Sequence, residues 1–177
     1  ERRSDIQGLR AVAVALVVAY HAELPVPGGF VGVDMFFVIS GFVIAGMILR
    51  QLDGAGGLSL SSFYTRRMRR LLPALALLTV ATAVGSILLL SPLGPQQATA
   101  KTGIAASLFS ANFQLLRAEG GGYFDLATET NALLHTWSLA VEEQFYLVFP
   151  AFLIIAWRAA ARLSSPSSRR RAIIALV

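Results

Sequence analysis

Four long apolar runs, each broken off by turn-forming residues, organise the chain. The first is Ile6 to Leu24, interrupted by Gln7, Arg10, His21 and Glu23 and closed by Pro25, Pro27, Gly28 and Gly29. The second, Phe30 to Leu49, carries one charge, Asp34. The third, Leu71 to Leu90, carries none and stops at Ser91, Pro92, Gly94 and Pro95. The fourth, Leu139 to Trp157, holds Glu142, Glu143 and Gln144 near its start. Each has roughly twenty residues, the length a hydrocarbon core demands. Between Lys101 and Arg117 only about fifteen residues fit, short for a span, so on length Ile104 to Leu116 is either a crossing or a membrane-dipping or interfacial helix, and the distribution of charge favours the second. Ala172 to Val177 opens another apolar run. The expected fold is all-α: a polytopic transmembrane helix bundle with about four complete spans and the start of a fifth. Residues 1–177 read as the N-terminal, incomplete part of one membrane domain, without internal repeat or cleavable signal peptide.

Composition agrees with this reading. Hydrophobic residues make up 55% of the chain and charged ones 14%, against about a quarter charged in soluble domains. The net charge of +5 comes from 15 basic residues, all arginine except Lys101. In a membrane chain such an excess marks cytoplasmic loops rather than nucleic-acid binding. If Ile104 to Leu116 does not cross, thirteen of the fifteen fall on one side: Arg2, Arg3, Arg10, Arg50, Arg66, Arg67, Arg69, Arg70, Arg158, Arg162, Arg169, Arg170 and Arg171. That topology puts the N terminus in the cytoplasm, Gln51 to Ser62 in a cytoplasmic loop and Ser91 to His135 outside, with Ser164 to Ser168 a linker. With no cysteine, thiolate chemistry is excluded.

Ionisable residues inside apolar runs are the candidate chemistry, because each costs several kcal/mol unless it faces protein or water. Arg10 and His21 are eleven residues apart. On a helix they share a face and lie about 16 Å apart along the axis. A neutral imidazole can serve as a general base, or it can simply tie helices together. Thr65 to Pro73 holds Arg66, Arg67, Arg69 and Arg70, which suit lipid headgroups or a phosphorylated cofactor, or serve topology alone. In the second run Ser40 can bond between helices and Asp34 can pair with an Arg or His. His135, Ser138 and Glu142 are expected on one helical face beside Trp137, Glu143 and Tyr146, where a carboxylate could fix the tautomer of a histidine. Trp137 and Tyr146 also suit headgroup anchoring. Two histidines and no cysteine leave no metal site expected.

The order of these blocks resembles the acyltransferase-3 family of integral-membrane O-acyltransferases. The matching residues are Asp5-x-x-Gly8-Leu9-Arg10-Ala11, Arg10-x10-His21, Phe36-Phe37-Val38-Ile39-Ser40-Gly41, Arg67-x2-Arg70 before Pro73, and His135-x-Trp137-Ser138-Leu139 with Glu142, Gln144, Phe145 and Tyr146. The resemblance covers nearly the whole chain, corresponding to the first four of about ten family helices. It implies a bacterial cytoplasmic-membrane enzyme that takes an acyl group from cytoplasmic acyl-CoA, most often acetyl-CoA. The acceptor would be a hydroxyl of a cell-envelope saccharide or lipid-linked glycan. It implies that Arg67 and Arg70 meet the CoA phosphates, that Arg10 and His21 are essential, and that His21 is catalytic, as base or acyl carrier. Arg66 and Arg69 share the spacing of that pair, and Glu142 is preferred over Glu143 because it shares a face with His135. The separation of Arg10 and His21 approximates the reach of a pantetheine arm, so a shaft between them would let the thioester approach an outer acceptor. Two rival readings are a proton or solute transporter fragment using Arg10, His21 and Asp34, and a non-catalytic scaffold of glycan export. The sequence leaves oligomeric state open.

Overall fold

A computed structural model describes residues 3–54, 58–117 and 131–161. Six helices occur among them: α1 (Ser4–His21), α2 (Val31–Asp53), α3 (Leu60–Leu89), α4 (Pro95–Ser107), α5 (Ala111–Arg117) and α6 (Thr136–Ala161). The linker Ser164 to Ser168, the run Ala172 to Val177, and Arg2, Arg162, Arg169, Arg170 and Arg171 lie outside the described residues.

Three helices, α2, α3 and α6, are long and apolar enough to cross a membrane. The molecule is thus a helical membrane bundle, as expected. The first run folds as a helix of 18 residues, about 27 Å, and is less apolar than the spanning stretches of those three. Asp5, Arg10 and His21 lower its apolarity, and it stops at His21 rather than Leu24. Glu23 takes a left-handed backbone, φ 54°, and Gly28 another, φ 82°, so the chain turns there. Large apolar side chains on α3 and α6 stay exposed, among them Leu77, Val80, Ile87, Leu88, Leu147 and Val148. Such a surface suits lipid, not water.

The third run begins eleven residues before its apolar stretch. Ser59 accepts a hydrogen bond from the Ser62 backbone N–H at 3.3 Å. This cap starts a helix that takes in all four arginines and continues through Pro73. Arginine, methionine and leucine are good helix formers, so helix and apolar span need not share a start. The stretch Ile104 to Leu116 is no continuous span. It breaks at Leu108 to Ser110, where Phe109 is left-handed at φ 50°, and falls partly in α4, of 13 residues, and partly in α5, of seven.

The chain divides into two compact units, one up to Leu58 together with the chain from Pro150 on, the other Ser59–Phe149. In the first, α1 and α2 touch through glycines. A Cβ on Gly32 would lie 2.6 Å from the Ala13 carbonyl oxygen and 2.8 Å from Val17 Cγ2. One on Gly29 would lie 2.6 Å from the Leu16 oxygen and 2.8 Å from Tyr20 Cβ. Ala13, Leu16, Val17 and Tyr20 therefore form the face of α1 that meets α2, and Arg10 and His21 lie along its edge. Gly32→Ala is expected to lower stability by about 1–3 kcal/mol through overpacking. Gly85→Ala, in open space on α3, is expected to be neutral or to add up to about 1 kcal/mol of helix propensity. Thermal unfolding of the two purified variants gives the signs. In the second unit Ala106, Ala111 and Ala140 bring α4, α5 and α6 together.

Candidate functional site

Arg67 sits two turns into α3, where a lone guanidinium among apolar neighbours would be costly. Its Nε donates to Glu143 Oε1 at 2.9 Å and Oε2 at 2.8 Å, and its Nη2 donates to Oε1 as well. The side chains are 19% and 5% exposed. The guanidinium plane also covers the ring of Tyr146, 3.3 Å from its centroid. The Tyr146 hydroxyl donates to Glu142 Oε1, which lies 3.9 Å from Arg67 Nη2. Arg67, Glu142, Glu143 and Tyr146 thus form one polar cluster between α3 and α6.

Two further contacts set the height of α6. Pro150 lies inside this helix and has no N–H for the carbonyl of Tyr146, four residues back. The hydroxyl of Tyr64, one turn before Arg67, reaches that place, 3.0 Å from the Leu147 oxygen and 3.4 Å from the Tyr146 oxygen. On the next face Gln144 Nε2 donates to the Phe109 carbonyl at 2.8 Å and to Asn112 Oδ1 at 3.0 Å. Asn112 Nδ2 returns a bond to Gln144 Oε1 at 3.2 Å. Gln144 thereby satisfies a carbonyl at the break between α4 and α5. Sequence reasoning passed over Tyr64 and Asn112. A proline in an apolar run was the available signal for Tyr64, since it frees a carbonyl that needs a donor.

The other candidates in this unit take different positions. Arg66, Arg69 and Arg70 are exposed, with Arg66 Nη1 donating to Ser62 Oγ at 3.2 Å. His135 is exposed and directly precedes α6, which starts at Thr136. Ser138 Oγ donates to the His135 carbonyl at 3.1 Å, and Trp137 is half-buried. Of the two carboxylates, Glu143 is the buried partner of Arg67, 5% exposed, while Glu142 is 26% exposed and meets the Tyr146 hydroxyl.

In the first unit, α1 is continuous from Arg10 to His21, so the two share a helix face. His21 is exposed, and its Nδ1 lies 2.8 Å from the Val17 carbonyl oxygen. A carbonyl only accepts, so Nδ1 is the donor in this contact and Nε2 is the ring nitrogen left outside it. Tyr20 holds the ring edge-on, centroids 5.8 Å apart. Arg10 is half-buried, Asp34 is exposed in the first turn of α2, and Ser40 is half-buried further along it. A family model described as an acyltransferase domain matches residues 3–168. The chain belongs to that acyltransferase family.

All the site candidates of this acyltransferase chain lie inside the matched stretch. The chain is 40% identical over 153 residues to the peptidoglycan O-acetyltransferase OatA of Listeria monocytogenes, covering 85% of the chain and 24% of that protein. It is 39% identical over 150 residues to a Staphylococcus aureus (strain COL) protein named a putative O-acetyltransferase, covering 84% and 24%. To YrhL of Bacillus subtilis, named a putative peptidoglycan O-acetyltransferase, it is 38% identical over 151 residues, covering 85% and 23%. It therefore spans about a quarter of the length of these relatives. No solved structure gives a significant match.

Proposed function

We propose that this chain belongs to an integral-membrane enzyme that moves an acetyl group from acetyl-CoA to a hydroxyl of a cell-envelope saccharide, with peptidoglycan the first candidate. The observation that carries the reading is the imidazole of His21, whose Nδ1 is engaged by the Val17 carbonyl so that Nε2 is the nitrogen left for an acceptor, in a chain of an acyltransferase family. Nε2 takes the proton of the acceptor hydroxyl, the alkoxide attacks the thioester carbonyl, and CoA leaves as the thiolate that the proton then neutralises. The names of the relatives support the acetyl group and the glycan.

The donor's phosphates meet the arginine-rich start of α3, where bidentate guanidinium groups suit them. The protein lies in the bacterial cytoplasmic membrane with its N terminus and these arginines on the donor side, as the distribution of basic residues supports.

The experiment is mass spectrometry of envelope glycans from cells carrying the intact protein or its His21→Ala variant, paired with thermal shift of the purified protein on adding CoA. Loss of O-acetylation in the variant and a CoA-dependent shift in the wild type are expected. Unchanged glycans in the variant would remove His21 from the reaction. A wild type that CoA does not stabilise would remove the donor.

A further inference from the structure

The four arginines at the start of α3 divide by charge environment. Around Arg67 stand Glu143, which takes its Nε and Nη2, and Glu142 at 3.9 Å. One cation with two carboxylates leaves this cluster with a net charge of −1, which repels an incoming phosphate. The exposed Arg66, Arg69 and Arg70 carry +3 together. The Nε–Nη2 side of the Arg67 fork is taken by Glu143, Nη2 also faces Glu142, and Cζ lies over the Tyr146 ring, so a phosphate would have to compete with both carboxylates for this guanidinium.

Resting on the donor reading above, we propose that Arg67 is a positioning residue for the acidic turn of α6 and no ligand of the donor, and that Tyr64 shares this task. Arg67 fixes Glu143 directly. It fixes Glu142 through Tyr146, whose ring it covers and whose hydroxyl donates to Glu142. Tyr64 holds the backbone of the same turn at the carbonyls of Tyr146 and Leu147, where Pro150 supplies no N–H. Side chain and backbone of one helical turn are thus both set from α3, by two residues one turn apart. The donor's phosphates are left to Arg66, Arg69 and Arg70.

The test uses the purified full-length protein, CoA as probe and acetyl transfer as readout. Arg70→Ala is expected to weaken CoA binding by about tenfold or more, the loss of one charge-assisted contact. Arg67→Ala and Tyr64→Phe are expected to leave the CoA dissociation constant within about twofold while lowering kcat, a split that marks positioning rather than donor binding. Arg67→Ala weakening CoA as much as Arg70→Ala would overturn the proposal. If the wild type fails to bind CoA, the donor reading falls on its own. The pairing is then judged by a thermal-unfolding cycle over Arg67 and Glu143, in which additive losses would overturn it.

Discussion

Replacing His21 with alanine is expected to lower acetyl transfer by about 10²–10⁴-fold, the usual contribution of a positioned general base, while CoA affinity stays at the wild-type level. The ring is held by its own helix. Its Nδ1–H bonds the Val17 carbonyl one turn back, and Tyr20 meets it edge-on. These contacts hold the direction of the ring and leave Nε2 as the nitrogen outside the bond to Val17. The ring is exposed and closes no packed core, so its removal should leave the unfolding temperature nearly unchanged. A variant that loses transfer and stability together would assign the ring to architecture, as the helix-tying reading holds. Kinetics and unfolding on the same preparation distinguish the two.

Glu143→Ala is expected to be the most damaging single truncation for stability, costing about 3–5 kcal/mol, because it leaves a half-buried guanidinium without its counter-ion. The pair is costly to desolvate and is retained only because Nε and Nη2 both reach the carboxylate and the ring of Tyr146 covers the cation. Replacing both members, Arg67→Met with Glu143→Leu, is expected to be close to neutral for folding, as apolar substitutes for buried ion pairs often are. The double variant should nevertheless lose transfer, because nothing then orders Glu142 and Tyr146. Thermal unfolding beside a transfer assay measures both. A double variant as unstable as Glu143→Ala would mean that the groove between α3 and α6 cannot close around apolar side chains.

The sequence made the spans legible because length and apolarity are local properties. It made their ends less so. The eleven residues before Leu71 are polar and helical at once, and an apolar-run criterion detects only the first property. The choice between Glu142 and Glu143 was out of reach for a different reason. Neighbouring residues differ by about 100° around a helix, and the face of α6 that meets α3 is set by tertiary packing. The arginine run announced its charge, but only the position of Glu143 separates Arg67 from its neighbours. For His21 the spacing to Arg10 was readable, whereas the direction of the ring needed the Val17 carbonyl.

A proline within a helix ordinarily gives the chain a loose joint. Here the Tyr64 hydroxyl, reaching over from α3 to the carbonyls of Tyr146 and Leu147, gives the turn before the proline an anchor outside its own helix. The acidic turn and the arginine-bearing turn are thereby tied to each other by side chain and backbone alike. If a ligand at one turn changes the affinity for a ligand at the other, the second must change the affinity for the first by the same factor.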